Sequence, residues 1–63
     1  MAITYTESWW LEECAKAEEE AARKYLAYSE LATDVELKRV CDDLASMHRH
    51  HLDMLASAVT TMM

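Results

Sequence analysis

The stretch Thr33-Asp34-Val35-Glu36 decides the fold, because it separates two long runs of helix-forming residues. A threonine followed three residues later by a glutamate is the capping-box pattern with which many helices begin. The pattern predicts a first helix over about residues 7–32 and a second helix, capped by Thr33, over about residues 34–60. A connection this short brings the two helices together as a single antiparallel hairpin domain.

The composition favours the same all-α architecture. None of the 63 residues is glycine or proline, on which tight β-turns rely. A chain of this length is only marginally stable alone, and a hydrophobic share of 52% is more than two helices can hide. We therefore expect the chain to associate with itself, as a homodimer or higher homo-oligomer in which hairpins form a four-helix bundle.

The charge pattern argues against several classes of partner. The net charge is −6 without a basic patch, which disfavours nucleic acid and anionic membrane surfaces. No apolar run approaches the ~18 residues of a membrane span. Residues 1–10 lack the basic start and apolar core of a signal peptide. Cys14 and Cys41 fit neither a disulfide framework nor a CxxC zinc motif, so a cytoplasmic location is expected.

The start of the first helix has two interpretations. Thr4 with Glu7 makes a capping box, whereas a cap at Thr6 would set Tyr5 against Trp10 as a hydrophobic staple.

Each helix carries a seam of residues that recur at alternating steps of three and four, as in a helical bundle. The first seam is Leu11, Cys14, Glu18, Ala21, Tyr25, Tyr28 and Ala32. The second is Leu37, Cys41, Leu44, His48, His51, Leu55, Ala58 and Met62. Two apolar rows beside the second seam widen it beyond a two-helix contact, which again favours a four-helix bundle; they are Val40, Met47 and Met54, and Ala45, Leu52 and Val59.

Three ionisable residues lie on these otherwise apolar seams, namely Glu18, His48 and His51. At ~1.5 Å per residue, all three stand ~22–26 Å from the turn, so they face one another across the hairpin. A buried carboxylate beside two imidazoles is costly unless something compensates it, and a metal ion is the usual compensation. This set suits iron, zinc, manganese or copper, and a two-fold dimer would double it to two Glu and four His.

Simpler interpretations stand beside the metal site. A seam histidine is often a core residue whose hydrogen bonds are satisfied. Tyr25 is either a core aromatic or an outer-shell residue whose hydroxyl bonds a metal ligand or relays a radical. His50 lies off the seam, as a surface residue or an outer-shell neighbour. Cys14 and Cys41 are most simply small buried hydrophobes, with Cys14 an outside candidate for the metal shell. Two rival functions are a metal-free assembly module, whose polar layer sets the register, and a haem-binding bundle with bis-histidine ligation.

The spacing Glu18-x-x-Ala21-x-x-x-Tyr25, with the stretch from Leu44 to Leu55, resembles the metal-binding helices of the ferritin-like, rubrerythrin-type superfamily. The resemblance covers about residues 14–55. It implies a di-iron four-helix bundle in which Glu18 matches the first-helix ligand and His51 matches the histidine of Glu-x-x-His. It also implies iron oxidation or iron and oxygen handling, hence a ferroxidase-like or other oxidoreductase activity.

The chain departs from the family pattern at His48, which stands where the superfamily has its bridging glutamate. The loss of that carboxylate removes negative charge that offsets the iron ions, and it favours zinc or copper as alternatives to iron. The sequence therefore predicts a metal-binding, ferritin-like protein whose ligands are Glu18, His48 and His51, with iron as the first expectation.

Overall fold

The computed structural model describes residues 3–62 and consists of two helices, α1 over Tyr5–Leu31 and α2 over Val35–Met62. The helices pack against each other side by side, which confirms the predicted all-helical hairpin. The hairpin is 47 Å long, 16 Å wide and 10 Å thick. The side chain of Met62, which the sequence places on the second seam, lies outside the described part of the structure.

Helix α1 begins with the capping box formed by Thr4 and Glu7. The backbone N–H of Glu7 donates to the Thr4 hydroxyl over 3.1 Å, and the backbone N–H of Thr4 donates to a Glu7 carboxylate oxygen over 3.0 Å. These two bonds satisfy donors that a helix N-terminus otherwise leaves free. Of the two predicted caps, the structure therefore has Thr4 and not Thr6.

Asp34, not Thr33, caps the second helix, so the predicted capping box at Thr33 is wrong. The backbone N–H of Leu37 donates to the Asp34 carboxylate over 2.8 Å, and the N–H of Lys38 donates to the Asp34 carbonyl over 3.0 Å. Aspartate is as good a cap as threonine, and here it places the first helical residue at Val35.

The face of α1 that packs against α2 is rotated from the predicted seam. Ala22 and Ser29 are buried, whereas Cys14 and Tyr28, which the sequence places on the seam, are exposed. Small side chains at the contact let two helix backbones approach closely, and this displaces the larger Tyr28 to the flank. Cys41 is buried as expected, and both cysteines are free thiols.

A polar clasp joins the helices near the turn. The buried Ser29 hydroxyl donates a hydrogen bond to the Asp42 carboxylate, and the Lys38 ammonium donates to the Ser29 carbonyl. Both bonds cross from one helix to the other, so they fix the register in which α1 and α2 meet.

Neither helix has, within the described residues, an apolar stretch long enough to cross a lipid bilayer.

Candidate metal centre

The three seam residues that the sequence singles out meet at mid-height in the hairpin. Glu18 lies in the middle of α1, and His48 and His51 lie one turn apart on α2. Residues three apart on a helix project from the same side, so both imidazoles reach towards α1 together.

One carboxylate oxygen is the meeting point of the cluster. Glu18 Oε2 lies 2.9 Å from Nδ1 of His48 and 3.0 Å from Nδ1 of His51. At these distances each imidazole donates an Nδ1–H hydrogen bond to the same oxygen. One donor atom from each residue lies within 4.8 Å of the other two.

The cluster is sheltered unevenly. The side chains of His48 and Glu18 are 19% and 23% exposed, whereas that of His51 is 44% exposed. His48 therefore forms the inner side of the site and His51 its outer side.

Electrostatics at the site favour the ionised carboxylate. The hydrogen bond from His48 is the main cause that lowers the pKa of Glu18, and the hydrogen bond and charge of His51 add to it. Partial burial acts in the opposite direction but does not reverse the shift. Glu18 is thus held as a carboxylate, the form in which it can bind a cation.

Tyr25 packs against the inner histidine. Its ring lies nearly parallel to that of His48, with centroids 5.5 Å apart and planes 8° apart. Tyr28 meets Tyr25 edge-on at 6.1 Å, and the Lys24 ammonium lies 4.9 Å from the Tyr25 centroid. Tyr25 is therefore a direct neighbour of the cluster through its ring face, a contact that the seam pattern alone does not give.

His50 and Cys14 lie apart from the three. His50 is exposed and lines a groove on the other side of the hairpin together with Arg49 and Asp53. Cys14 lies on the same side as Glu18 and His51 but is not among the residues whose donor atoms converge.

An open apolar groove adjoins the outer side of the cluster. Besides Glu18 and His51, it is lined by Cys14, Ala17, Met54, Leu55 and Ala58. The groove has a volume of about 480 Å³. The sequence predicts an apolar row through Met54 but does not show that this row borders the site, because that depends on how the helices are rotated.

The donor set fits a transition-metal ion. Ligand atoms each about 2.1 Å from one metal lie roughly 3.0 Å apart at right angles and roughly 3.4 Å apart at the tetrahedral angles of structural zinc sites. The two oxygen–nitrogen separations of 2.9 and 3.0 Å are those of hydrogen bonds, and they lie close enough to these spacings that small side-chain shifts would admit an ion. One carboxylate and two imidazoles are a mixed oxygen and nitrogen set that suits iron(II), zinc and copper.

The haem alternative needs more than one chain. The rings of His48 and His51 are 5.8 Å apart and nearly perpendicular, and both belong to α2. Two such neighbours on one helix cannot approach a single porphyrin iron from opposite sides. Bis-histidine haem binding would need one histidine from each of two hairpins, and it stays a prediction.

Comparisons of the chain with models of protein families, with curated proteins and with solved structures gave no match. The ferritin-like resemblance thus stays a prediction that rests on the residues that carry it.

Proposed function

We propose that this protein binds a divalent transition-metal ion through Glu18, His48 and His51. The observation that carries the proposal is the convergence of both Nδ1 atoms on Glu18 Oε2, at 2.9 and 3.0 Å. A carboxylate and two imidazoles gathered from two helices are placed where one cation can replace the shared protons. The same hydrogen bonds lower the pKa of Glu18, so the carboxylate that would bind the cation stays ionised into more acidic solution than an ordinary glutamate does.

The donor set leaves coordination positions open. Three protein ligands are fewer than iron(II), zinc or copper(II) takes, so water or a small exogenous ligand completes the shell. Iron is the metal that the ferritin-like resemblance implies, with zinc and copper as alternatives. The version of the proposal that includes catalysis is iron oxidation or iron and oxygen handling.

The proposal includes self-association into a four-helix bundle. Two hairpins related by a two-fold axis would bring together two Glu and four His, enough for two metal ions. With His48 in place of the bridging glutamate of the ferritin-like pattern, that interior holds fewer negative charges.

A second candidate function is a metal-free assembly module. It is favoured by the observation that Glu18, His48 and His51 already satisfy one another through hydrogen bonds. In the described chain, no buried side-chain polar atom lacks a partner. A satisfied polar layer of this kind fixes the register of packed helices without any ion.

Metal analysis of the untagged protein separates the two candidates. We expect about one transition-metal ion per chain after purification, and a metal-stripped sample that binds Co²⁺ or Zn²⁺ with the same stoichiometry. His48→Ala and His51→Ala should each weaken binding by about tenfold or more, since each removes a ligand. Binding should also raise the melting temperature, since about 100-fold excess over the Kd stabilises by roughly 2.7 kcal/mol.

His50→Ala is the matched control, because His50 adjoins His51 in sequence yet lies on the other side of the hairpin. It should leave Co²⁺ affinity within about twofold of wild type. A wild-type protein that takes up no metal, or a His50→Ala variant as impaired as His48→Ala, would point to the assembly module instead. A ferrous oxidation assay on the iron-loaded protein then tests whether binding is accompanied by catalysis.

A further inference from the structure

The two broad faces of the hairpin differ in character. One face, here called the site face, carries Trp10, Cys14, Ala17 and Tyr28 of α1 and Val40, Met47, His51 and Met54 of α2. Trp10, Tyr28, Val40, Met47 and Met54 are among the exposed large apolar residues. Helical spacing aligns them with the groove beside His51, which Cys14, Ala17 and Met54 line.

The opposite face is charged. It includes Arg49, His50 and Asp53 around the groove beside Ala22, with Asp42 further towards the turn. The apolar residues of the site face are interspersed with a few charged ones, because Glu18 lines the same groove and Glu36 lies five helical turns from Met54 on the same side of α2. Most of the acidic residues lie outside this apolar set, so two such faces can meet with few opposing like charges.

The hairpin has almost no interior of its own. Of the described apolar side chains, only Ala22 and Cys41 are buried. A layer 10 Å thick cannot enclose side chains on both sides of the helix–helix contact. The apolar surface that stabilises most folded chains is therefore exposed here, and five of the eleven exposed large apolar side chains in the described residues lie on the site face.

The size of the site face is that of a stable protein interface. A face 47 Å long and 16 Å wide covers 47 × 16 Å, roughly 750 Å² in projection. Stable complexes bury about 800 Å² on each partner. The site face of a second copy has the same dimensions and the same exposed apolar side chains.

We propose that a second copy of this chain covers the site face and that metal binding is coupled to this dimerisation. The metal part of the inference rests on the proposed function. The second copy encloses the outer side of the cluster, where the side chain of His51 is 44% exposed in the single hairpin. Removal of water strengthens the attraction between a cation and Glu18, so the dimer binds the metal more tightly than the monomer does. By thermodynamic reciprocity, the metal tightens the dimer by the same factor.

A concentration series on the wild-type protein tests the coupling without any variant. Co²⁺ affinity is measured at protein concentrations below and above the dimer dissociation constant, which sedimentation velocity supplies. We expect the affinity to rise by about tenfold from monomer to dimer, and saturating Co²⁺ to tighten the dimer by about tenfold. An affinity that does not change with protein concentration overturns the coupling.

Charge-introducing variants test which face is covered. Met47 and Met54 are 42% and 57% exposed on the site face, and Leu26 is 47% exposed beside the groove of the opposite face. Met47→Glu with Met54→Glu should raise the dimer dissociation constant by at least about tenfold, because it buries charge against an apolar partner. Leu26→Glu is the matched control and should change it by less than about twofold.

The outcomes separate the two proposals. If Met47→Glu with Met54→Glu disrupts the dimer but the wild-type protein binds no Co²⁺, the interface on the site face is supported and the metal site is rejected. If the protein stays monomeric at every concentration and still binds Co²⁺, a second copy does not cover the site face, and the face would instead be one for a different protein. Equal damage from Leu26→Glu rejects the site face. Circular dichroism checks that each variant is helical. If a variant is not helical, the concentration series on the wild-type protein tests the proposal in its place.

Discussion

Tyr25 lies flat against His48, with ring centroids 5.5 Å apart and ring planes 8° apart. The same histidine is the least exposed of the three candidate ligands, and its Nδ1 lies 2.9 Å from Glu18 Oε2. The stacked ring restricts rotation of the imidazole, so His48 enters the site in a fixed orientation. His51 has no such neighbour in the described contacts beyond the edge of His48.

Loss of the Tyr25 ring should weaken metal binding. Aromatic pairs contribute about 0.5–1.5 kcal/mol beyond the area they bury, which is roughly 2- to 13-fold in affinity. We expect Tyr25→Leu to lower Co²⁺ affinity within that range because His48 must then be ordered by the metal itself. Titration followed by the visible Co²⁺ spectrum measures the change.

Tyr25→Phe keeps the ring and should restore the wild-type affinity and spectrum, because stacking and not the hydroxyl orients His48. Tyr28→Leu is the control, since Tyr28 touches Tyr25 by its edge and is exposed. In the metal-free protein, the NMR shifts of the His48 ring protons should move in Tyr25→Leu and stay in Tyr25→Phe. If Phe behaves as Leu does, the hydroxyl carries the effect and the positioning role is rejected.

The stability of the metal-free protein should depend on pH through Glu18. Hydrogen bonding from His48 lowers the pKa of Glu18 below its usual value of 4.5. A lowered pKa in the folded state means that the stabilisation is fully present above about pH 4.5 and is lost as pH falls through the folded value. Glu18→Gln should therefore be less stable than wild type at neutral pH, with the difference shrinking in acid.

Chemical unfolding between about pH 3 and pH 7, in the presence of a chelator, measures that difference. Glu20→Gln is the control, because Glu20 is an exposed glutamate of the same helix. Its curve should run parallel to that of wild type. A constant gap between Glu18→Gln and wild type at every pH would contradict a role for the ionised carboxylate.

The parts of this structure that the sequence predicts are those that depend on spacing along a helix. The break at Thr33-Asp34 places the turn, and equal distances from that turn bring Glu18 to the level of His48 and His51. These inferences need only the rise per residue of an α-helix. They do not depend on how either helix is rotated about its axis.

The rotation of α1 is what the sequence does not supply. The seam spacing places Tyr28 and not Ser29 in the core, yet Ser29 is buried and Tyr28 is exposed. Ser29 is buried because its hydroxyl has a hydrogen-bond partner across the interface, the Asp42 carboxylate. In the sequence, Asp42 is indistinguishable from an ordinary surface aspartate. Likewise Thr33 and Asp34 are both good caps, and only the backbone path through the turn selects Asp34.

The capping box at the start of α1 should contribute measurably to stability. Replacement of an N-cap threonine by alanine costs about 1 kcal/mol, because a backbone donor loses its acceptor. For a chain of this size we expect Thr4→Ala to lower the melting temperature by roughly 4–8 °C at a fixed protein concentration. Thr6→Ala, inside the first turn, should have a much smaller effect. Equal shifts for the two variants would mean that Thr4 is not the effective cap.

Close approach of the helices at Ser29 leads to a prediction that runs against hydropathy. Ser29→Ala removes the hydrogen bond to Asp42 and should destabilise the hairpin by about 1 kcal/mol. Ser29→Leu adds apolar surface to α1, yet we expect it to cost about 1–3 kcal/mol more than Ser29→Ala, because the larger side chain forces α1 and α2 apart.

Ala27→Leu is the control, since Ala27 is exposed two residues away and should tolerate leucine within about 0.5 kcal/mol. Thermal unfolding of the three variants decides between the observed and the predicted helix rotation. If Ser29→Leu were as stable as Ala27→Leu, Ser29 would not lie in the contact, and α1 would pack through Tyr28 as the seam spacing predicts. Such a rotation would also turn Glu18 relative to His48, so this variant tests the geometry on which the candidate metal centre depends.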